Sequence, residues 1–370
     1  MKENKARVIA FYLPQYHPIP ENDKYWGKGF TEWTNVAKAK PLFRGHYQPH
    51  IPADLGFYDL RLPEVREAQA ELARDAGIEG FCYYHYWFGN GKMLLQKPFE
   101  EVLRLGKPDF PFCLCWANHD WTTKTWVKGS SMVNNTMIAQ QEYLGEQDDI
   151  KHFEYCLRAF KDHRYITIEG KPIFLIYDPL SFPNVKEFMN RWNFLAKKNN
   201  LKGIYFIGVT TGRQPSYKIV TNLGFDGVCH NRRWEAEAKA AGFRFVRRMQ
   251  SLLGWHLGIS LMKYDYNKVV RNYDTPENKL ENCYPVITPG FDRTPRAGRR
   301  AGIYVNSSPK NFKKHVAEIC KSIQDKDDDH RLVFLSAWNE WGEGNYMEPD
   351  LKWGHGYLEA LKSVVKFQIK

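Results

Sequence analysis

No apolar run in this sequence reaches the length of a membrane span, and Met1–Arg7 is polar and leads straight into a strand-like stretch. Neither a spanning helix nor a signal peptide is therefore expected, and a cytoplasmic location follows as the expectation. No helix-turn-helix, zinc-finger or ribonucleoprotein pattern accompanies the formal charge of +11. A basic balance calls for an anionic partner, and nucleic acid is the weaker candidate without such a pattern. The Gly-rich phosphate turn of a dinucleotide-binding fold is missing too, because the place for it reads Leu13-Pro14-Gln15-Tyr16-His17. The 7 cysteines are odd in number and scattered, and Cys113-x-Cys115 is too tight for a zinc or redox pair. Buried reduced thiols are the expectation. Neither an internal repeat nor a low-complexity linker divides the chain, so residues 1–370 read as one catalytic domain.

Aromatic residues, by contrast, are abundant: 15% of the chain, with 12 Trp and 21 Tyr. A core does not need so many rings with polar handles, whereas a sugar cleft does, because a pyranose offers a C–H face to a ring and its hydroxyls to polar groups. Packing in the core or at an interface accounts for part of them. Eight short runs rich in β-branched and aromatic residues read as strands: Arg7–Tyr12, Gly80–Tyr86, Phe112–Ala117, Ile173–Tyr177, Ile204–Val209, Gly227–His230, Tyr284–Thr288 and Leu332–Ala337. Helical patterns lie between them, Pro63–Ala76 and Val185–Lys198 among them. The alternation points to an α/β fold, a (β/α)8 TIM barrel, over a doubly wound sheet. Long βα loops follow strands 1, 3 and 6 (18–62, 118–148 and 231–282), at the end of a barrel where active sites are built.

Rings, amides and acids recur at those strand ends. Candidate substrate-binding residues are Tyr12, Gln15 and Tyr16 after the first strand and His85, Tyr86 and Trp87 on the second. Trp116, Asn118, His119 and Trp121 follow the third, Tyr177 the fourth, and Trp338, Asn339 and Trp341 the eighth. The first long loop adds Glu32, Trp33 and Asn35, over the substrate, packed down as an Ω-like lid, or both. Glycosidic-bond chemistry requires two carboxyl groups near one sugar carbon, one of them with a raised pKa. Glu340 and Glu343 stand three residues apart where the last strand gives way to a glycine-containing turn. They are the candidate catalytic pair. Alternatively, Glu343 caps the turn and Glu340 acts alone.

Four segments carry a family resemblance: Phe30–Val36, Tyr83–Trp87, Trp116-Ala117-Asn118 and Trp338–Gly344. They resemble the WbsX family, related to glycoside hydrolase family 99 (endo-α-mannosidases and endo-α-mannanases), over nearly the whole chain. The resemblance implies a (β/α)8 barrel with no metal and no cofactor. It also implies a retaining route through a 1,2-anhydro sugar, with Glu340 as base toward the 2-hydroxyl and Glu343 as general acid. The chain departs from the hydrolase pattern at Gly342, where those enzymes carry a His. WbsX proteins are assigned to O-antigen and capsule clusters and often called glycosyltransferases. The expected activity is thus cleavage or transfer of a glycosidic bond in cell-surface polysaccharide. The alternatives are a lipopolysaccharide glycosyltransferase using a phosphate-activated donor, and a non-catalytic sugar-binding barrel. For a donor phosphate, Arg293, Arg296, Arg299 and Arg300 after strand seven are the candidate anion-binding residues. Arg244, Arg247 and Arg248, among Phe243, Phe245, Val246, Leu252 and Leu253, suggest a helix resting on an anionic membrane surface. For both basic stretches, a solvated surface is the competing reading.

Overall fold

The computed structural model describes residues 6–123, 136–210, 216–242 and 262–365, with Met249 and Leu252. The arginines at 244, 247 and 248, with Phe243, Phe245, Val246 and Leu253, lie outside the described residues. Eight parallel strands form the centre: β1 (Arg7–Tyr12), β2 (Gly80–Trp87), β3 (Phe112–Trp116), β4 (Lys171–Ile176), β5 (Tyr205–Val209), β6 (Gly227–His230), β7 (Cys283–Ile287) and β8 (Leu332–Leu335). Each pairs with its neighbour in sequence, and β1 pairs with both β2 (Ile9 opposite Gly80) and β8 (Ile9 opposite Phe334). Both edges of the sheet are thereby consumed, and the sheet is a closed barrel. The helices that cover it include α1 (Pro63–Ala76), α2 (Lys97–Leu105), α3 (Glu146–Phe160), α4 (Val185–Lys198), α5 (Tyr217–Asn222), α6 (Tyr266–Val270), α7 (Pro309–Ser322) and α8 (Gly356–Val365). Among the described residues, no helix is long and apolar enough to cross a membrane.

Local chemistry accounts for the boundaries. Pro63 opens α1, and Gly77 ends it at φ 89, a conformation that costs glycine nothing. The Ser308 hydroxyl caps α7 by accepting the Asn311 N–H. Strands β4 and β5 are buried almost throughout, which is why they read as continuous apolar runs.

Side chains alternate across each strand, and this period of two decides which ring reaches which compartment. On β2, Tyr84 and Tyr86 point into the barrel, where Tyr84 stacks on Phe11 at 5.5 Å. Tyr83, His85 and Trp87 point out toward α2 and α3. The seven cysteines are all free thiols, six of them buried.

Candidate active site

The C-terminal ends of the strands enclose a cavity of about 340 Å³. Its wall includes Phe11, Gln15, Tyr84, Tyr86, His119, Trp121, Tyr177, Glu340 and Glu343. Trp121 stacks on Tyr86 with ring centroids 5.4 Å apart. Of the residues expected to touch substrate, the structure brings Gln15, Tyr86, His119, Trp121 and Tyr177 to this wall with both glutamates.

The others face elsewhere, and the alternation explains most of them. Tyr12 faces the helical layer, where its hydroxyl donates to Gln69 at 2.7 Å. His85 meets His152 through their Nε2 atoms at 2.8 Å, and Trp87 donates to Asp148 at 3.1 Å, both on α3. The Trp116 indole donates to the Trp87 carbonyl at 2.9 Å. Asn118 clamps two strand ends, donating to the Asp178 carbonyl at 2.8 Å and accepting its N–H at 2.7 Å. Trp338 packs on the outward ring of Phe81.

A second group lies beneath the cavity and builds its supporting shell. Asn339 holds β1 by exchanging two hydrogen bonds with the Leu13 backbone, at 2.7 and 3.0 Å. The Tyr16 hydroxyl donates to the Asn339 carbonyl and accepts the Trp341 N–H at 3.2 Å. Trp33 is packed between Tyr16 and Trp341 and donates to the Tyr58 carbonyl at 2.8 Å. Glu32 and Asn35 are buried beside it on the short helix Glu32–Lys38. The loop after β1 is thus packed down rather than draped over the opening, and its rings support the turn that carries the glutamates.

Sequence reasoning missed the carboxyl at the centre of that shell. Glu348 is buried and accepts hydrogen bonds from Tyr58 (2.9 Å), Gln69 (2.6 Å) and Trp341 (2.5 Å). Burial raises its pKa to about 7. Glu348→Leu leaves three buried donors without an acceptor and is expected to cost about 3 kcal/mol or more in denaturant unfolding. Glu348→Gln keeps an acceptor and is expected to cost much less. Equal stability of Glu348→Leu and wild type would mean that this carboxyl does not hold the shell.

The glutamates are joined by one side chain. Arg296, on the short helix Thr294–Ala297 after β7, donates to Glu340 Oε2 at 2.9 Å and to Glu343 Oε1 at 2.8 Å. The same guanidinium makes a two-point contact with Glu32, 3.0 Å at each oxygen. A single bridging guanidinium keeps the two carboxylates within about 9.5 Å, the range used by two-carboxylate glycosidases. Glu343 is further approached by Arg293 at 3.4 Å and Arg233 at 3.9 Å. The four arginines expected to bind an anion are thereby split. Arg293 and Arg296 reach the cavity, Arg296 already engaged by three carboxylates. Arg299 and Arg300 sit exposed on the turn Gly298–Arg300, away from the cavity. Arg233, which opens the helix Arg233–Ala240 after β6, was missed by sequence reasoning, although the basic-aromatic run Arg232-Arg233-Trp234 at a strand end was the available signal.

Burial and these cations pull the two acids apart. Burial raises the Glu340 pKa to about 7, with Glu343 and Glu32 adding to the effect against Arg296. Glu343 is buried as well, which works to raise its pKa, but Arg296, Arg293 and Arg233 outweigh that and hold it below the usual 4.5. Of the two acids, Glu340 therefore keeps its proton to the higher pH and Glu343 ionises first. That distribution is the reverse of the base and acid roles implied by the resemblance.

Gly342 owes its identity to the same cluster. A Cβ there would lie 1.9 Å from Glu32 Oε1 and 2.9 Å from Arg296 Nε. The buried Glu32–Arg296 pair thus occupies the space into which a residue 342 side chain would project. A sequence model of the family described as glycosyltransferase WbsX matches residues 8–361. The chain belongs to the WbsX family. Two curated proteins designated WxcX, themselves uncharacterized and from two strains of Xanthomonas campestris pv. campestris, are each 34% identical over 361 residues. That match covers 97% of the chain but 50% of each relative, so the chain spans about half their length. Among solved structures, the GH99 endo-α-mannosidase from Bacteriodes thetaiotaomicron, in complex with BIS-TRIS-propane, superposes with a TM-score of 0.59 at 16% identity. The alignment covers 97% of this chain and 96% of that one. A structure described as a glycoside hydrolase-like protein gives a TM-score of 0.59 at 16% identity, over 98% and 94% of the two chains. At such identity these likenesses establish the fold, a (β/α)8 barrel.

Proposed function

We propose that this WbsX-family chain is a carbohydrate-active enzyme that cleaves or transfers a glycosidic bond in cell-surface polysaccharide, with Glu340 and Glu343 performing the chemistry. The observation that carries this is the pair of carboxyls bridged by Arg296 on the wall of a ring-lined cavity. Retention of configuration rests on the likeness of Asn339-Glu340-Trp341-Gly342-Glu343 to the hydrolase motif. The electrostatics favour Glu340 as proton donor and Glu343 as the ionised partner. Cytoplasmic action near an anionic membrane surface belongs to the same proposal and rests on the basic sequence 243–253.

The protonation states give a test. Glu340 must hold its proton, so activity falls as pH rises through about 7. Glu343 must be ionised, so activity falls again below its lowered pKa, under 4.5. A bell-shaped kcat/KM profile with its maximum between these limits is expected. Activity that climbs steadily above pH 8 would contradict the assignment.

A second reading, transfer from a phosphate-activated donor, is favoured by the arginines that face the cavity. A screen of hydrolysis and transfer on surface polysaccharides and aryl glycosides, with the Gln variants of both acids as controls, separates the two. Intact sugar binding without turnover on any substrate would sink both in favour of a non-catalytic barrel.

A further inference from the structure

Among the described residues, Arg233 and Arg293 have guanidinium donors without a hydrogen-bond partner. The Arg233 guanidinium stands 3.9 Å from Glu343 and 3.8 Å from Glu237, both beyond hydrogen-bonding range. It lies over the Phe291 ring at 4.4 Å and the Trp234 ring at 4.8 Å, which fixes its plane. Arg293 Nε is buried without a hydrogen-bond partner, 3.4 Å from Glu343 Oε1. Both arginines line the cavity, and Trp234 is 41% exposed on the same wall.

The unmatched donors at this corner leave room for an anion. Arg296 is matched by the two-point contact with Glu32. Burial raises the Glu340 pKa to about 7, so near neutral pH it carries only part of its charge. Glu343 faces two further guanidinium groups, and the buried Glu237 carboxylate stands 3.8 Å from one of them, Arg233. The cavity's other acid, Asp120, is on the loop after β3 and accepts the Gln141 N–H. A neutral sugar hydroxyl would accept from one of the two arginines and leave the other's donors unmatched. A planar carboxylate or a phosphoryl group would satisfy both.

We propose that Arg233 and Arg293 form a recognition site for an anionic group on the substrate, a carboxylate or phosphoryl group, with Trp234 as a stacking surface for the adjoining sugar ring. This rests on the reading of the cavity as the substrate site and deepens it. The anion has two candidate sources: an acidic sugar of the polysaccharide, or the phosphate of an activated donor.

Calorimetric titration of the full chain with sodium glucuronate, inorganic phosphate and glucose tests this without requiring turnover. At least one of the two anions is expected to bind about tenfold or more tightly than glucose, and the tighter of them names the source. Arg293→Gln, with its fold checked by circular dichroism, should weaken anion binding by about tenfold or more, the worth of a charge-assisted hydrogen bond. Arg299→Gln, on the same loop but away from the cavity, should leave it unchanged. Glucose binding as well as glucuronate and phosphate, undiminished affinity in Arg293→Gln, or no anion binding at millimolar concentrations would overturn the proposal. Anion binding that depends on Arg293, without turnover on any glycoside, would sustain this site while removing the enzymatic reading. Turnover with equal kcat/KM on acidic and neutral glycosides would do the opposite.

Discussion

Glu343→Gln is expected to lower kcat/KM by about 10³-fold or more on every glycoside the enzyme turns over, whatever the leaving group. Glu343 is the acid that three arginines keep ionised, and an amide offers no charge to the reacting centre. Glu340→Gln should behave differently. It removes the proton donor, so loss of similar size is expected on substrates with poor leaving groups. Aryl glycosides with acidic phenols need little protonation and should retain most of their rate. The exchanged pattern, with rescue in Glu343→Gln and none in Glu340→Gln, would overturn the assignment and restore the roles implied by the family resemblance. Tolerance of Glu340→Gln with a phosphate-activated donor would mark the transferase.

Gly342→Ala is expected to destabilise the protein by about 3 kcal/mol and to reduce activity with it. The backbone there needs no glycine for its φ; space alone excludes a side chain. One methyl would press on the buried Glu32 carboxylate and the Arg296 guanidinium, and neither can retreat without breaking a buried ion pair. The loss is measurable as a lowered denaturant midpoint. A variant as stable as wild type would show that the Glu32–Arg296 pair can move aside at little cost.

Sequence alone carried the barrel well. β1, β6, α1 and α4 run over the residues expected of them, because apolar runs, a first-turn proline and a terminal glycine are local signals. The site was less legible. Clustering at strand ends pointed to Tyr86, Tyr177, Trp121 and the glutamates, all on the cavity wall. It could not distinguish Tyr86 from its neighbours His85 and Trp87, because facing in or out depends on a register that only strand pairing fixes. Nor could it find the partnership of Arg296 with Glu32, 264 residues apart. Glu348 was invisible for a related reason: its partners Tyr58 and Gln69 come from the other end of the chain.

That separation has a consequence for how the protein is made. Synthesis runs from the N-terminus, so Glu32 emerges long before Arg296, and β1 waits for β8 to complete its pairing. Until then the first loop carries a carboxylate with no cation to accompany it into the interior, and burying it alone would be costly. The loop also packs its Trp33 ring on Trp341, beyond β8, so it can settle fully only after the last strand has docked. Assembly of the Glu340–Glu343 pair and closure of the barrel become one late event, and a chain truncated before residue 296 would lack both glutamates and the charge that lets its first loop fold.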